Sequence, residues 1–94
     1  MATIYVSIGN SDNKLTQYEW NQFSTQVVEH VRNKATRVHG EWYSPSNAPY
    51  QNACICFETE NFYDLAWLRS ELTAIRHEYR QDSIAWAEAS TEFI

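Results

Sequence analysis

The sequence predicts an α+β fold in which two amphipathic helices cover one face of a four-stranded antiparallel sheet. Three features predict it: segments of alternating apolar residues, two apolar stripes at helical spacing, and loop-forming residues between these segments. The chain has 94 residues, and we expect a single domain over 1–94. Its 44% hydrophobic and 15% aromatic residues supply the side chains for a modest core.

Two strands are predicted to lie in the centre of the sheet. Over 3–8, Ile4, Val6 and Ile8 alternate with other residues, as in a strand with one buried face. The segment 53–57 is apolar on both faces, which is typical of a central strand.

The other two strands are predicted over 37–43 and 83–89. For the segment 83–89 the inward face stays open, since either Ile84 and Trp86 or their alanine neighbours can fill it. In the segment 37–43, alternation places three side chains on the face away from the helices, namely His39, Glu41 and Tyr43.

Both helices are indicated by apolar residues three and four positions apart. The first is expected to start at Thr16, whose spacing to Glu19 is that of a capping box, and its stripe ends near residue 35. The second is expected to start after Asn61, and its stripe runs over 65–79.

The predicted order is strand, helix, strand, strand, helix, strand. This is the split βαβ arrangement of ferredoxin-like folds. Right-handed crossovers then make the first and third strands central, and these are also the two most apolar strands.

Composition argues against several classes of function. The net charge is −5 and the basic residues are scattered, which disfavours duplex DNA or RNA as a partner. We expect no membrane span and no signal peptide, and therefore a cytoplasmic protein. Cys54 and Cys56 lie two positions apart, where a disulfide would strain a strand, so reduced thiols are expected.

The predicted topology brings three loops, 9–15, 44–52 and 80–83, to one end of the sheet. Polar groups beside a tyrosine at the head of a helix suit a small anion or a nucleotide. The alternative is that these residues are ordinary loop formers. The predicted ligand-binding residues are Asn10, Ser11, Asp12, Lys14, Tyr50, Gln51, Asn52, Gln81, Asp82 and Ser83.

The sheet face away from the helices is the second predicted binding surface. A face rich in rings suits a protein partner or a second copy of the chain, so a homodimer is expected there, although a partly solvated face is the alternative. Its predicted interface residues are Tyr5, His39, Tyr43, Cys54 and Cys56.

No catalytic residue, metal or cofactor is predicted. His39, Cys54 and Cys56 lack the usual zinc spacings and an evident fourth ligand. Asp12 and Asp82 are the remaining pair for enzymatic chemistry, as acid and base or around a divalent ion.

Three stretches together resemble a known group of proteins. They read Ile-Tyr-Val-Ser-Ile-Gly-Asn-Ser-Asp at 4–12, Tyr-Gln-Asn-Ala at 50–53 and Gln-Asp-Ser-Ile-Ala-Trp-Ala-Glu-Ala at 81–89. The chain is similar here to small proteins of unassigned function from actinobacteria and their phages or plasmids. The resemblance implies no activity, but it favours a role in a mobile element.

The sequence therefore favours a non-enzymatic binding protein, from a phage or mobile element, that acts as an inhibitor or decoy toward a host protein. The first alternative is a domain that binds a small anionic ligand or nucleotide with the loops at 9–15, 50–52 and 80–83. The second is a small hydrolase with Asp12 and Asp82 as working carboxylates.

Overall fold

A computed structural model describes residues 2–10, 12–45, 47–90 and 94. The elements follow in the order β1 (Ala2–Gly9), α1 (Gln17–Lys34), β2 (Arg37–Tyr43), β3 (Asn52–Glu58), α2 (Phe62–Glu78) and β4 (Ala85–Ser90). Every strand pairing is antiparallel, and the sheet order is β2-β3-β1-β4. The ferredoxin-like α+β fold, with β1 and β3 in the centre, is thereby confirmed.

The core lies between the sheet and the two helices. Ile84 and Trp86 pack against it, so this pair is the inward face around β4. The Trp86 ring meets Phe57 edge to face, with 6.2 Å between ring centres. The largest fully buried side chains are Phe23, Phe57, Ile4, Ile55, Leu68, Val6, Val27 and Val31.

The helix starts follow the predicted caps. The Glu19 amide donates to the Thr16 hydroxyl at 3.1 Å, and the Thr16 amide donates to the Glu19 carboxylate at 3.2 Å, so both bonds of the capping box are present. At the start of α2, the Asn61 side chain accepts from the amide of Tyr63 at 2.9 Å.

The end of α2 explains why β4 begins at Ala85, later than the predicted residue 83. Arg80 adopts a left-handed conformation with φ 57°, and the amide of Gln81 donates to the carbonyl of Arg76 at 3.0 Å. The Arg76 guanidinium in turn donates to the carbonyls of Gln81 and Asp82 at 3.0 and 3.2 Å. These bonds hold the segment against α2, so it joins the sheet only afterwards.

A β-bulge in β2 corrects the predicted faces of that strand. Val38 pairs with Phe57, but the next pair joins Gly40 to Cys56, so His39 is an extra residue. Alternation is reversed beyond it, because one inserted residue moves the following side chains to the opposite face.

The prediction that Glu41 and Tyr43 lie on the open face is therefore wrong. They pair with Ile55 and Ala53, whose side chains belong to the helix side of the sheet. The Glu41 carboxylate accepts two hydrogen bonds from Arg32 of α1, at 2.6 and 2.7 Å. Such a bidentate pair ties the outer strand to the helix.

Candidate functional site

The three loops predicted to converge do meet at one end of the sheet. We call this end the loop rim and define it as residues 10, 12–15, 50–52 and 80–83. A cleft of about 230 Å³ opens there, and Gly9, Asp12, Gln81 and Asp82 are among the residues that line it. Ser11, one of the predicted site residues, lies outside the described residues.

Asn10 holds the first loop of the rim in place. Its buried side chain donates to the Leu15 carbonyl and accepts from the Leu15 amide, both at 3.0 Å. It also donates to Gln51 at 3.3 Å, and Gln51 donates to Gln17 at 2.8 Å. These amides satisfy one another, so their role is to shape the loop.

Lys14 links the two candidate carboxylates. Its ammonium lies 3.5 Å from Asp12 and 3.4 Å from Asp82, and it also donates to the Arg80 carbonyl at 3.4 Å. The hydrogen bond to Asp82 is the main reason that the pKa of Lys14 is raised. One ammonium is thus shared by two carboxylates of the rim.

The remaining rim residues are placed less closely. The Tyr50 ring is exposed, and the side chain of Gln81 is buried and donates to the Tyr79 carbonyl at 3.2 Å. Asn52 is exposed at the start of β3, and its backbone amide donates to the Ser44 hydroxyl at 3.0 Å. Ser83 is exposed and lines the cleft beside Asp82.

The open face of the sheet carries a different set of side chains from the one predicted. Trp42, which pairs with Cys54, takes the place expected for Tyr43, and its ring lies against Gly40. A Cβ built on Gly40 would come within 3.0 Å of this ring, so the glycine provides the space for it.

The other open-face residues are packed beside one another. Cys54 and Cys56 are free thiols, and Cys54 accepts a hydrogen bond from Ser7 at 3.3 Å. A side-chain hydrogen bond with Cys56 is the main reason that the pKa of Tyr5 is raised. His39 stands at the bulge with its ring nitrogen 3.7 Å from the Glu58 carboxylate.

A surface that the sequence reading missed lies at the start of α2. The side chains of Phe62, Tyr63 and Trp67 are 77%, 81% and 61% exposed. We call these three residues the α2 aromatic patch. The sequence contains this signal, because none of the three rings belongs to the stripe of apolar residues, spaced three and four positions apart between 65 and 79, that packs on the sheet.

Two contacts involve the rings of the patch. The rings of Phe62 and Tyr63 meet edge to face, with 6.2 Å between their centres. Lys34, at the end of α1, places its ammonium 6.0 Å from the centre of the Trp67 ring. Tyr63 and Trp67 stand four positions apart and therefore face the same side of the helix.

Two further features are absent from residues 2–10, 12–45, 47–90 and 94. In these ranges no group of three or more His, Cys, Asp or Glu side chains is placed to hold a metal ion. Nor is any helix in them long and apolar enough to cross a membrane.

Comparison with known proteins adds a structural neighbour. No protein-family model matches the sequence, and no curated protein matches it either. The fold is similar to the solution structure of the C-terminal domain of the MgtC protein from Mycobacterium tuberculosis, with a TM-score of 0.56. The similarity covers 95% of this chain and 88% of that chain at 11% sequence identity, so it shows the fold alone.

Proposed function

We propose that this chain is a non-enzymatic binding domain that docks on a protein partner through the α2 aromatic patch. The observation that carries this proposal is the exposure of three large rings within the first turn and a half of one helix. Contiguous exposed rings on a small protein typically mark an interaction surface. Trp and Tyr are also the side chains that most often dominate binding energy at interfaces.

The mode of docking follows from the helix. The inner side of α2 is held by Leu68, Leu72 and Ile75 in the core, so its outer side is a rigid platform. Rings at positions i and i+4 on such a platform fit an apolar groove of a partner. Tyr and Trp side chains have only two rotatable torsions, so docking costs little side-chain entropy.

Charge defines the chemistry of the partner. Glu60, Asp64 and Glu71 lie within four positions of the patch residues in sequence, against the one ammonium of Lys34 near Trp67, and within the described ranges none of the three has a Lys or Arg within ion-pair distance. The whole chain carries a net charge of −5. A partner with an apolar groove and a basic rim complements this surface.

The resemblance to phage and plasmid proteins favours a host protein as this partner, with the chain as an inhibitor or decoy in the cytoplasm. The loop rim supports the two alternatives, ligand binding and hydrolysis, less well. Lys14 contacts both Asp12 and Asp82, which leaves neither carboxylate free of a cation.

Position-specific cross-linking tests the proposal. A photoreactive phenylalanine analogue replaces Tyr63 in one variant and Tyr50 in a control; both tyrosines are exposed, but Tyr50 lies at the loop rim. In a lysate of the host cell, we expect one protein to cross-link from position 63 and not from position 50. Raising NaCl from 50 to 300 mM should reduce the yield, since a basic rim is screened.

A second variant tests whether the rings themselves bind. Trp67→Ser in the cross-linking chain should reduce the yield at least tenfold while the melting temperature shifts by no more than about 2 °C, because the ring is mostly exposed. Equal cross-linking from both positions, or an unchanged yield with Trp67→Ser, would show that the patch does not dock.

A further inference from the structure

The seven Lys and Arg side chains of this acidic chain fall into two groups. Four of them lie within 4.0 Å of a carboxylate, namely Lys14, Arg32, Arg37 and Arg80. Among the residues that the structure describes, Lys34, Arg69 and Arg76 have no such carboxylate. Lys34 faces Trp67, whereas Arg69 and Arg76 face a cleft.

Arg69 and Arg76 line the same cleft, which has a volume of about 250 Å³ and lies between α2 and the approach to β4. They stand seven residues apart and therefore share one side of the helix. Leu72, Ile84 and Trp86 form the apolar part of the lining. The cleft thus joins two guanidinium groups to an apolar wall, which is the composition of a small-ligand site.

Arg69 is held in place with its hydrogen-bond donors free. Its guanidinium carbon lies 5.2 Å from the centre of the Trp86 ring. A guanidinium that packs on a ring keeps its N–H edge available for an anion. No side-chain hydrogen bond from Arg69 to another described residue is present.

Arg76 and Ser83 form the rest of the polar lining of the cleft. Arg76 is fixed by its bonds to the carbonyls of Gln81 and Asp82, and its other terminal nitrogen lies 3.0 Å from the His77 ring nitrogen. The Ser83 hydroxyl lines the cleft and bonds to no side chain or backbone group in the described ranges. Asp82 also borders the cleft, and its exposed carboxylate pairs at 3.4 Å with Lys14, which it shares with Asp12.

We propose that this cleft binds a small organic anion. Its oxyanion head, a carboxylate or a phosphate, lies between Arg69, Arg76 and Ser83, and its apolar or aromatic body packs on Leu72, Ile84 and Trp86. The volume of about 250 Å³ suits a single-ring compound. The cleft is separate from the α2 aromatic patch, so anion binding does not depend on the proposed docking function.

NMR titration of the full chain tests this site. The probes are phenyl phosphate, benzoate, inorganic phosphate and, as the uncharged analogue, benzyl alcohol. We expect saturable shifts of the Trp86 indole N–H and the Ser83 amide with phenyl phosphate, benzoate or both, and weaker binding of benzyl alcohol. Binding of phenyl phosphate alone would identify a phosphate head, whereas equal binding of benzoate would identify a general oxyanion site.

Matched arginine variants decide whether the cleft is responsible. Arg69→Gln should raise the Kd at least tenfold, since it removes the guanidinium that donates charge-assisted hydrogen bonds to the anion. Arg37→Gln removes the same charge from an exposed arginine that pairs with Glu58, and it should leave the Kd within twofold. Ser83→Ala, which leaves every described side-chain bond in place, should raise the Kd severalfold.

Three results would overturn the proposal: no saturable shift at Trp86 with either anion, an equal affinity for benzyl alcohol, or an unchanged Kd in the folded Arg69→Gln variant. The amide spectrum of each variant reports directly whether it is folded.

Discussion

The loop rim and the outer side of α2 use polar and aromatic groups in opposite ways. At the rim, Asn10, Gln51 and Lys14 bond to neighbouring loops, and their hydrogen-bonding capacity serves to shape the chain. Along α2, the rings of the aromatic patch face solvent, and Arg69 faces a cleft with its donors free. A cluster of polar residues is therefore a poor guide to a site unless its internal bonds are counted.

Replacement of Asn10 should give the largest change in stability. Asn10→Ala leaves the buried amide and carbonyl of Leu15 without their partner, which costs about 2–3 kcal/mol in the free energy of unfolding. Asn52→Ala is the matched control at the same end of the sheet, and its exposed side chain should cost no more than about 0.5 kcal/mol. Urea denaturation measures both, and equal losses would contradict a structural role for Asn10.

The pH dependence of stability should report on Glu19, which joins the rim to α1. The pKa of Glu19 is lowered mainly by a hydrogen bond from Arg80 and, to a smaller extent, by the hydrogen bond from the Thr16 amide. A carboxyl with a lowered folded-state pKa stabilises the protein above its unfolded pKa of about 4.3, and this contribution is lost as the pH falls through the folded value.

Thermal unfolding between pH 7 and pH 2 tests this expectation. Glu19→Gln should have the lower melting temperature at pH 7, and its difference from the native chain should shrink once the pH falls below about 4.3. Arg80→Gln should reduce the same dependence, since it removes the main cause. A difference that persists unchanged at pH 2 would contradict the assignment.

The smallest changes in stability should come from replacing Lys14, which pairs with two carboxylates, and Arg69, which packs on a ring. Lys14→Gln breaks exposed pairs with Asp12 and Asp82, so the melting temperature should fall by no more than about 4 °C, and 1 M NaCl should abolish the difference. Arg69→Gln loses no carboxylate within the described ranges and should change the melting temperature still less. A larger loss for Arg69→Gln than for Lys14→Gln would reverse the contrast between the two regions.

Much of the fold could be predicted from local patterns. The apolar alternation of β1, the capping box at Thr16 and Glu19 and the stripe of α2 each name their element directly, and their order allows few topologies. Which end of the sheet gathers the loops follows from the same order.

The sites were less accessible to sequence reading, for physical reasons. The bulge at His39 depends on pairing with β3, so strict alternation put Tyr43 on the wrong face. That Lys14 meets Asp82, 68 positions away, depends on side-chain geometry that no spacing rule contains. The α2 aromatic patch is different, because its rings stand off the helical stripe and the sequence alone contains that signal.

The extra residue in β2 has a further effect at the border of the sheet. β2 is an outermost strand, and a regular outermost strand offers a row of unpaired amides and carbonyls to which strands of other molecules can add. A bulge bends such a row and increases its twist. The irregularity that brings Glu41 to Arg32 thus also makes this border a poorer template for added strands than a regular outermost strand.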